Sequence, residues 1–310
     1  MIVKVNNLVK RYGELIALDH FNLEVGEGEV LGLLGPNGSG KTTAINCILS
    51  LLKYDKGTVE VFGKPMNPDS YESKRDIGIV MQNVAVFKEL TVEENIAYFC
   101  GLYITDKQKC RELVREAIKS VGLENYTKFY PKKLSGGLLR RLNIACGIAH
   151  KPKLIIMDEP TVAVDPQSRN SILEGILELN RQGATVIYTS HYMEEVEQIC
   201  SRIAIMDKGK VIANGTTGEL KGMISTGEKI TAELIKADGS ILPGLRTAVR
   251  VTSAEIAGSQ LIVKSEHGRN NLTAVLEYLN ANRIAYGKIY CELPTLNDVF
   301  LEITGKELRD

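Results

Sequence analysis

The chain has no apolar run long enough to cross a bilayer. Its longest, such as Ile96 to Ile104 and Leu154 to Met157, fall far short of the roughly 20 residues a spanning helix needs. It also lacks net charge: 38 Lys and Arg face 38 Asp and Glu. No summed positive field is available to neutralise a phosphate backbone, so a nucleic-acid partner is not expected. The six cysteines (Cys47, Cys100, Cys110, Cys146, Cys200, Cys291) contain no close CxxC pair. That fits reduced structural thiols better than a disulfide frame or a zinc site. The opening MIVKVNNLVKRYGEL breaks its apolar residues with Lys4, Lys10, Arg11 and Glu14. It lacks the uninterrupted apolar segment of a secretion signal, so a cytoplasmic location is expected. What remains is an ordinary globular composition, 44% hydrophobic and 25% charged, which can bury a core and is not that of a disordered chain. Its 310 residues suggest two domains.

Short apolar runs punctuate the first two thirds. Val30 to Leu34 leads into a glycine-rich loop, and Lys41 to Leu52 then shows helical spacing at Ile45, Ile48, Leu49 and Leu52. Thr58 to Phe62, Ile77 to Met81, Leu154 to Met157, Thr185 to Thr189 and Arg202 to Met206 read as further strands, most of them separated by helical patterns. Alternation of that kind predicts an α/β domain with a largely parallel sheet. Residues from about 87 to 150 are almost wholly helical in pattern and read as a helical insert. DKGKVIANGT near Gly209 reads as a hairpin before a helix start at Thr217, and GMISTGEK beyond Lys221 as a linker. The expected domains are therefore 1–222 and 228–310. The second reads as a small α+β unit: strands at Lys229 to Ile235, Ala248 to Thr252, Gln260 to Lys264 and Ala285 to Cys291, a helix at Leu272 to Asn280, and a last helix capped by Thr295. It holds no evident catalytic cluster.

The chemistry sits in the first domain. Gly35-Pro36-Asn37-Gly38-Ser39-Gly40-Lys41-Thr42-Thr43 matches the phosphate-loop pattern G-x-x-x-x-G-K-[ST] in full, between a predicted strand and a predicted helix. Glycines there let backbone N–H groups turn around phosphate oxygens, and the helix N-terminus adds partial positive charge. Lys41 is placed to reach the β- and γ-phosphates, and Thr42 offers a hydroxyl to Mg²⁺. Such a loop needs a second metal anchor at the end of a neighbouring strand, which Asp158 after Leu154 to Met157 supplies. Glu159 follows directly and is the natural general base for activating water. An Asp-Glu pair alone is more often a polar turn; with the phosphate loop it becomes a nucleotide-hydrolysing pair. His191 follows a predicted strand end, where ligands of open α/β sheets gather.

Leu134-Ser135-Gly136-Gly137, lying between these two elements and ahead of a helical pattern, resembles the signature motif of ABC-transporter ATPases. The resemblance covers residues 1 to about 220 and takes in seven motifs in sequence order. It implies a P-loop NTPase fold that binds and hydrolyses ATP with Mg²⁺. Tyr12 would stack on adenine, and Gln82, the family's glutamine loop, would join Thr42 and Asp158 at the metal. Asp165 matches its aspartate loop and His191 its switch histidine, giving Lys41, Glu159 and His191 as the catalytic set. Ser135, Gly136 and Gly137 would bind the γ-phosphate held by a second subunit, so ATP would be sandwiched between two chains, expected to be identical. Two departures stand out: Leu138 replaces a common glutamine, and Val162-Ala163-Val164 replaces a commoner small-glycine-leucine run.

Within the family, one nucleotide domain plus a small tail ending in Thr295-Leu296-Asn297-Asp298-Val299-Phe300-Leu301 resembles ATPase subunits of bacterial ABC-2 type exporters, which include drug- and antibiotic-resistance pumps. That implies a separate membrane permease, a position on the inner face of the cell membrane, and a drug, antibiotic or lipid-like cargo. The competing reading is a soluble ABC protein acting on ribosomes or DNA. Such relatives generally carry two nucleotide domains or a long coiled coil, neither of which is seen here.

Overall fold

The computed structural model describes residues 1–224, 226–236, 239–248, 251–266 and 271–305. They fall into two compact units, Met1–Thr216 and Thr217–Leu308.

The first unit begins with β1 (Val3–Tyr12), β2 (Leu15–Val25), β3 (Val30–Leu34), α1 (Lys41–Ile48), β4 (Lys56–Val61), β5 (Lys64–Pro65), α2 (Tyr71–Arg75) and β6 (Ile77–Val80). It continues through α3 (Val92–Gly101), α4 (Lys107–Ser120), α5 (Gly136–Ile148), β7 (Leu154–Asp158) and α6 (Pro166–Arg181). It closes with β8 (Thr185–Ser190), α7 (Met193–Ile199), β9 (Arg202–Asp207) and β10 (Lys210–Gly215). The main sheet has the order β10-β9-β3-β8-β7-β6. Its strands run parallel except for the β9–β10 hairpin, which turns at Lys208 and Gly209, both at positive φ. Every residue of β3, β7 and β8 is buried, as a parallel sheet covered on both faces requires.

A second, antiparallel sheet has the order β2-β1-β4-β5. Neither β1 nor β2 is legible as a strand in the sequence. Their apolar alternation is broken by register shifts between Val5 and Leu8 and between Leu8 and Lys10, with Asn7 and His20 at φ 50 and 54. Each bulge adds a residue and resets the period-two pattern. The strand expected at Thr58 to Phe62 belongs to this sheet as β4, and not to the parallel one.

Helices α3, α4 and α5 form the insert, built on their own core of Ile96, Leu113, Val114, Ile118 and Leu142. Thr91 and Glu94 close a capping box at the head of α3, and Asp106 caps α4, so both starts are fixed by side chains that satisfy free N–H groups.

The second unit comprises α8 (Thr217–Gly222), β11 (Thr226–Leu234), α9 (Ile241–Ala248), β12 (Val251–Ala257), β13 (Gln260–Glu266), α10 (Asn271–Ala281), β14 (Tyr286–Glu292) and α11 (Leu296–Thr304). The sheet order β12-β13-β11-β14, antiparallel throughout, makes β11 to β14 with α9 and α10 a split βαβ of the ferredoxin type. The division between units falls at 216, ahead of the linker expected beyond Lys221, because α8 packs against α11. Helix α9 and the start of β12 correct the strand expected at Ala248 to Thr252, of which 249–250 lie outside the described residues. Pro243 sits in the first turn of α9, where a missing N–H costs little. Gly244 leaves room for Tyr278, whose Oη would lie 2.3 Å from a Cβ there and donates to Ile241 O at 2.9 Å. The Thr295 to Leu301 motif is a capping box between Thr295 and Asp298 opening α11, which buries Leu296, Val299 and Phe300.

Candidate functional site

Three strands deliver the site. In the sheet register Leu34 pairs with Ser190 and Asp158 with Thr189, so Gly35, Glu159 and His191 leave the carboxyl edge of adjacent strands side by side, where open α/β sheets bind ligands.

The loop Gly35 to Gly40 joins β3 to α1, and two of its glycines are required. A Cβ on Gly35 would lie 2.3 Å from Met206 O, and one on Gly40, at φ 105, 2.6 Å from Ala17 O. Ser39 is 3% exposed, and its Oγ has no hydrogen-bond partner. A buried unpaired hydroxyl beside the free N–H groups of a helix start is one that an anion would satisfy. Lys41 is likewise buried; its Nζ donates to Gly35 O at 2.8 Å and Pro36 O at 3.2 Å and lies 3.3 Å from Glu159 Oε1.

The acidic pair is buried and fully engaged. Asp158 Oδ2 accepts from Thr42 Oγ1 at 2.8 Å and Oδ1 from Thr189 Oγ1 at 2.7 Å. Glu159 stands at φ 47, a left-handed conformation that side chains other than glycine adopt only under constraint. Its N–H is held by Thr189 Oγ1 at 2.9 Å and its Oε2 by Gln82 Nε2 at 3.2 Å. His191 Nδ1 lies 3.4 Å from Glu159 Oε1, within charge range but without hydrogen-bond alignment. Lys41, Thr42, Gln82, Asp158, Glu159 and His191, chosen from sequence, thus meet at one place.

Gln82 reaches Glu159, while Thr42 and Asp158 bond each other. Its loop is pinned to α5: Arg140 Nη1 donates to Met81 O at 3.2 Å and to Gln82 O at 2.8 Å, and Asn143 Nδ2 to Met81 O at 3.3 Å. Burial lowers the pKa of Arg140. Neither Arg140 nor Asn143 announces itself in the sequence; their spacing on α5 is intelligible only once β6 lies beneath it.

Ser135, Gly136, Gly137 and Asp165 form a second corner. Ser135 caps α5, its Oγ accepting from Leu138 N at 3.3 Å, and Asp165 caps α6, its Oδ1 accepting from Ser168 N at 2.9 Å. The Ser168 backbone bond, then its hydroxyl, hold the Asp165 carboxyl below its ordinary range. A Cβ on Gly137 would lie 2.4 Å from Ser168 Oγ, so only glycine lets the two helix starts approach. Leu138 packs into the core of the insert and still supplies its N–H to the cap. Tyr12, at the end of β1, is 49% exposed, with Lys10 Nζ 5.1 Å from its ring centroid.

The clustered hydroxyl and carboxylate oxygens of Thr42 and Asp158 are the hard donors that Mg²⁺ takes, so the donor set fits that ion. Among the described residues no cluster of three or more His, Cys, Asp or Glu forms a separate metal site, and no helix is long and apolar enough to cross a membrane.

Residues 18–162 match the family model described as ABC transporter. The chain is 36% identical to the linearmycin resistance ATP-binding protein LnrL of Bacillus subtilis over the whole of both chains. It is 34% identical to the daunorubicin resistance ATP-binding protein DrrA2 of Streptomyces coeruleorubidus, over 98% of this chain and 95% of that one. It is 32% identical to the Nod factor export ATP-binding protein I of Ralstonia nicotianae, over 100% and 95%. Among solved structures, a dimeric post-hydrolysis state of the ATP-binding cassette MJ0796 with ADP and Pi is 30% identical, with a TM-score of 0.63 over 69% of this chain and 98% of that one.

Proposed function

The chain belongs to the ABC transporter family as an ATP-binding, ATP-hydrolysing subunit, and we propose that it powers export of a drug, antibiotic or lipid-like compound through a separate membrane permease. The observation that carries this reading is the reach of the similarity, which to the linearmycin-resistance relative extends over residues 217–308 beyond the cassette. The chain works as a homodimer in the cytoplasm, on the inner face of the membrane, its insert near Gln82 receiving the permease. The second unit serves interaction or regulation. A soluble role on ribosomes or DNA draws no support from these relatives.

In this reading the ATP phosphates lie over Gly35 to Thr43, satisfying Ser39 Oγ and the N–H groups at the head of α1. Lys41 exchanges Glu159 and its loop carbonyls for phosphate oxygens, releasing Glu159 to take a proton from the attacking water. His191 donates to the γ-phosphate, and Gln82 orients Glu159 through the contact it already makes. Thr42 and Asp158, with Gln82 beside them, are the residues that would hold Mg²⁺, and the ion would supply positive charge against the phosphates. Tyr12 offers its open face to the adenine. Ser135 and Gly137 of one copy close over the γ-phosphate of the other, so hydrolysis loosens the dimer.

The test is recovery of affinity-tagged chain from host membranes. It should bring down a multi-span protein encoded beside it, and ATP hydrolysis should rise when the two are reconstituted. Recovery with ribosomes or DNA in place of a membrane protein would overturn the exporter reading.

A further inference from the structure

Behind His191 lies a buried charge that the phosphate chemistry does not use. Glu195 on α7 is 2% exposed. Its Oε2 accepts three hydroxyls, from Thr161 Oγ1 at 2.8 Å, Tyr188 Oη at 2.7 Å and Ser190 Oγ at 3.0 Å. Its Oε1 lies 3.2 Å from Arg169 Nε on α6. A carboxylate taken this far from water persists only when it is paired and hydrogen-bonded. Helix α7 is itself pinned to the strand that feeds the phosphate loop: a Cβ on Gly32 of β3 would lie 2.6 Å from Val196 Cγ1 and 2.9 Å from Cys200 Sγ.

The partners of Glu195 frame His191 on both sides. Ser190 Oγ donates to Glu195 and also accepts the Tyr192 N–H at 2.9 Å, closing the turn on which His191 stands. The Arg169 guanidinium carbon lies 4.6 Å from the Tyr192 ring centroid, and that ring lies 4.1 Å from the His191 imidazole. Thr161 comes two residues after Glu159, so the same carboxylate also ties down the segment behind the acidic pair. Arg169 rises from α6, whose first turn abuts Gly137.

We infer that Glu195 is a positioning residue for ATP hydrolysis, holding His191 against Glu159 through Ser190, Tyr192 and Arg169. It does so without touching nucleotide. This rests on the role given to His191 above. Two bonds fix the turn, and the ring contact fixes the imidazole within it. Loss of either lets the histidine drift, and misplacement of about 1 Å can cost about a hundredfold in rate. Nucleotide affinity, carried mainly by the phosphate loop and Tyr12, falls far less than the rate.

Replacing Glu195 by Ala would orphan three buried hydroxyls and threaten the fold, so the test reads the outer members of the network in the full chain. ATPase kinetics, affinity for a fluorescent ATP analogue and thermal melting are measured for His191→Ala, Tyr192→Ala, Tyr192→Phe and Arg169→Ala, and for the His191→Ala/Tyr192→Ala double variant. Tyr192→Ala and Arg169→Ala should lower kcat by about tenfold with affinity within about twofold of wild type. Tyr192→Phe, which keeps the ring, should recover most of the rate, and the double variant should be no slower than His191→Ala. Wild-type kcat in folded Tyr192→Ala and Arg169→Ala beside an impaired His191→Ala would overturn the inference alone. Affinity falling in step with kcat, or Tyr192→Ala adding its full loss to His191→Ala, would do the same. Wild-type turnover by His191→Ala would overturn the role of the histidine and the inference with it.

Discussion

Thr189 and Asp158 are joined by a 2.7 Å hydrogen bond between neighbouring strand ends. The same Thr189 hydroxyl accepts the N–H of Glu159 at 2.9 Å. One buried oxygen therefore fixes the direction of the first carboxylate and the strained backbone of the second. Thr42 holds the other oxygen of Asp158, so the phosphate loop and the acidic pair share one hydrogen-bond chain from α1 to β7 to β8.

Replacing Thr189 by Val keeps the shape and removes the hydroxyl. It leaves Glu159 N–H without its partner in a buried place and should cost about 1–3 kcal/mol of stability, read by chemical denaturation. It should also lower kcat more than it weakens ATP binding, because Glu159 loses its anchor. Thr189→Ser should restore both. A Val variant with unchanged stability and rate would mean that the hydroxyl holds neither carboxylate.

Glu159→Gln should retain ATP binding and nearly abolish turnover, by about 10²–10⁴-fold for loss of a general base. Glutamine preserves the shape and an oxygen for Gln82, so the loop geometry persists while the proton acceptor is gone. With ATP the variant should accumulate as an ATP-bound dimer on size exclusion, since the γ-phosphate that bridges the copies is never released. Wild-type turnover would remove Glu159 from the role of base.

Most of this site was legible in the sequence because its parts are consecutive: a strand running into Gly35 to Thr43, and a strand ending at Asp158. Thr189 was not. In the sequence it stands out only as the last residue of a predicted strand, and its function depends on β8 lying between β3 and β7, a sheet order that local pattern does not encode. Arg140 and Asn143 were missed for the same reason, since the carbonyls they hold lie far away in sequence. Strands β1 and β2 were lost to bulges, and α9 to a proline and glycine that fit its first turn. At these places tertiary neighbours, and not the chain's own period, decide the structure.

Removing residues after 216 should leave ATP binding within a few-fold of the full chain. The described groups that meet at the phosphate site all precede that point, and the second unit has its own core of Ile230, Leu234, Leu261, Val263, Val275 and Leu279, as an independent domain should. A folded truncation that no longer binds nucleotide would make the second unit part of the ATP machinery.

Ala163 stands at φ 59 and is exposed, in the short run where the family's commoner sequence has glycine. An L-residue in this left-handed region carries strain of about 1–2 kcal/mol from its Cβ against the backbone. Glycine removes that strain but adds freedom to the unfolded chain, which returns part of the gain. Ala163→Gly should therefore stabilise the first unit by about 0.5–1 kcal/mol in urea unfolding. It should also make the turn between Glu159 and Asp165 easier to move. If that turn must shift for the two copies to close, the rate of ATP-driven dimer formation in the Glu159→Gln background should rise with it, whereas destabilisation by glycine would show that Ala163 is held by contacts worth more than its strain.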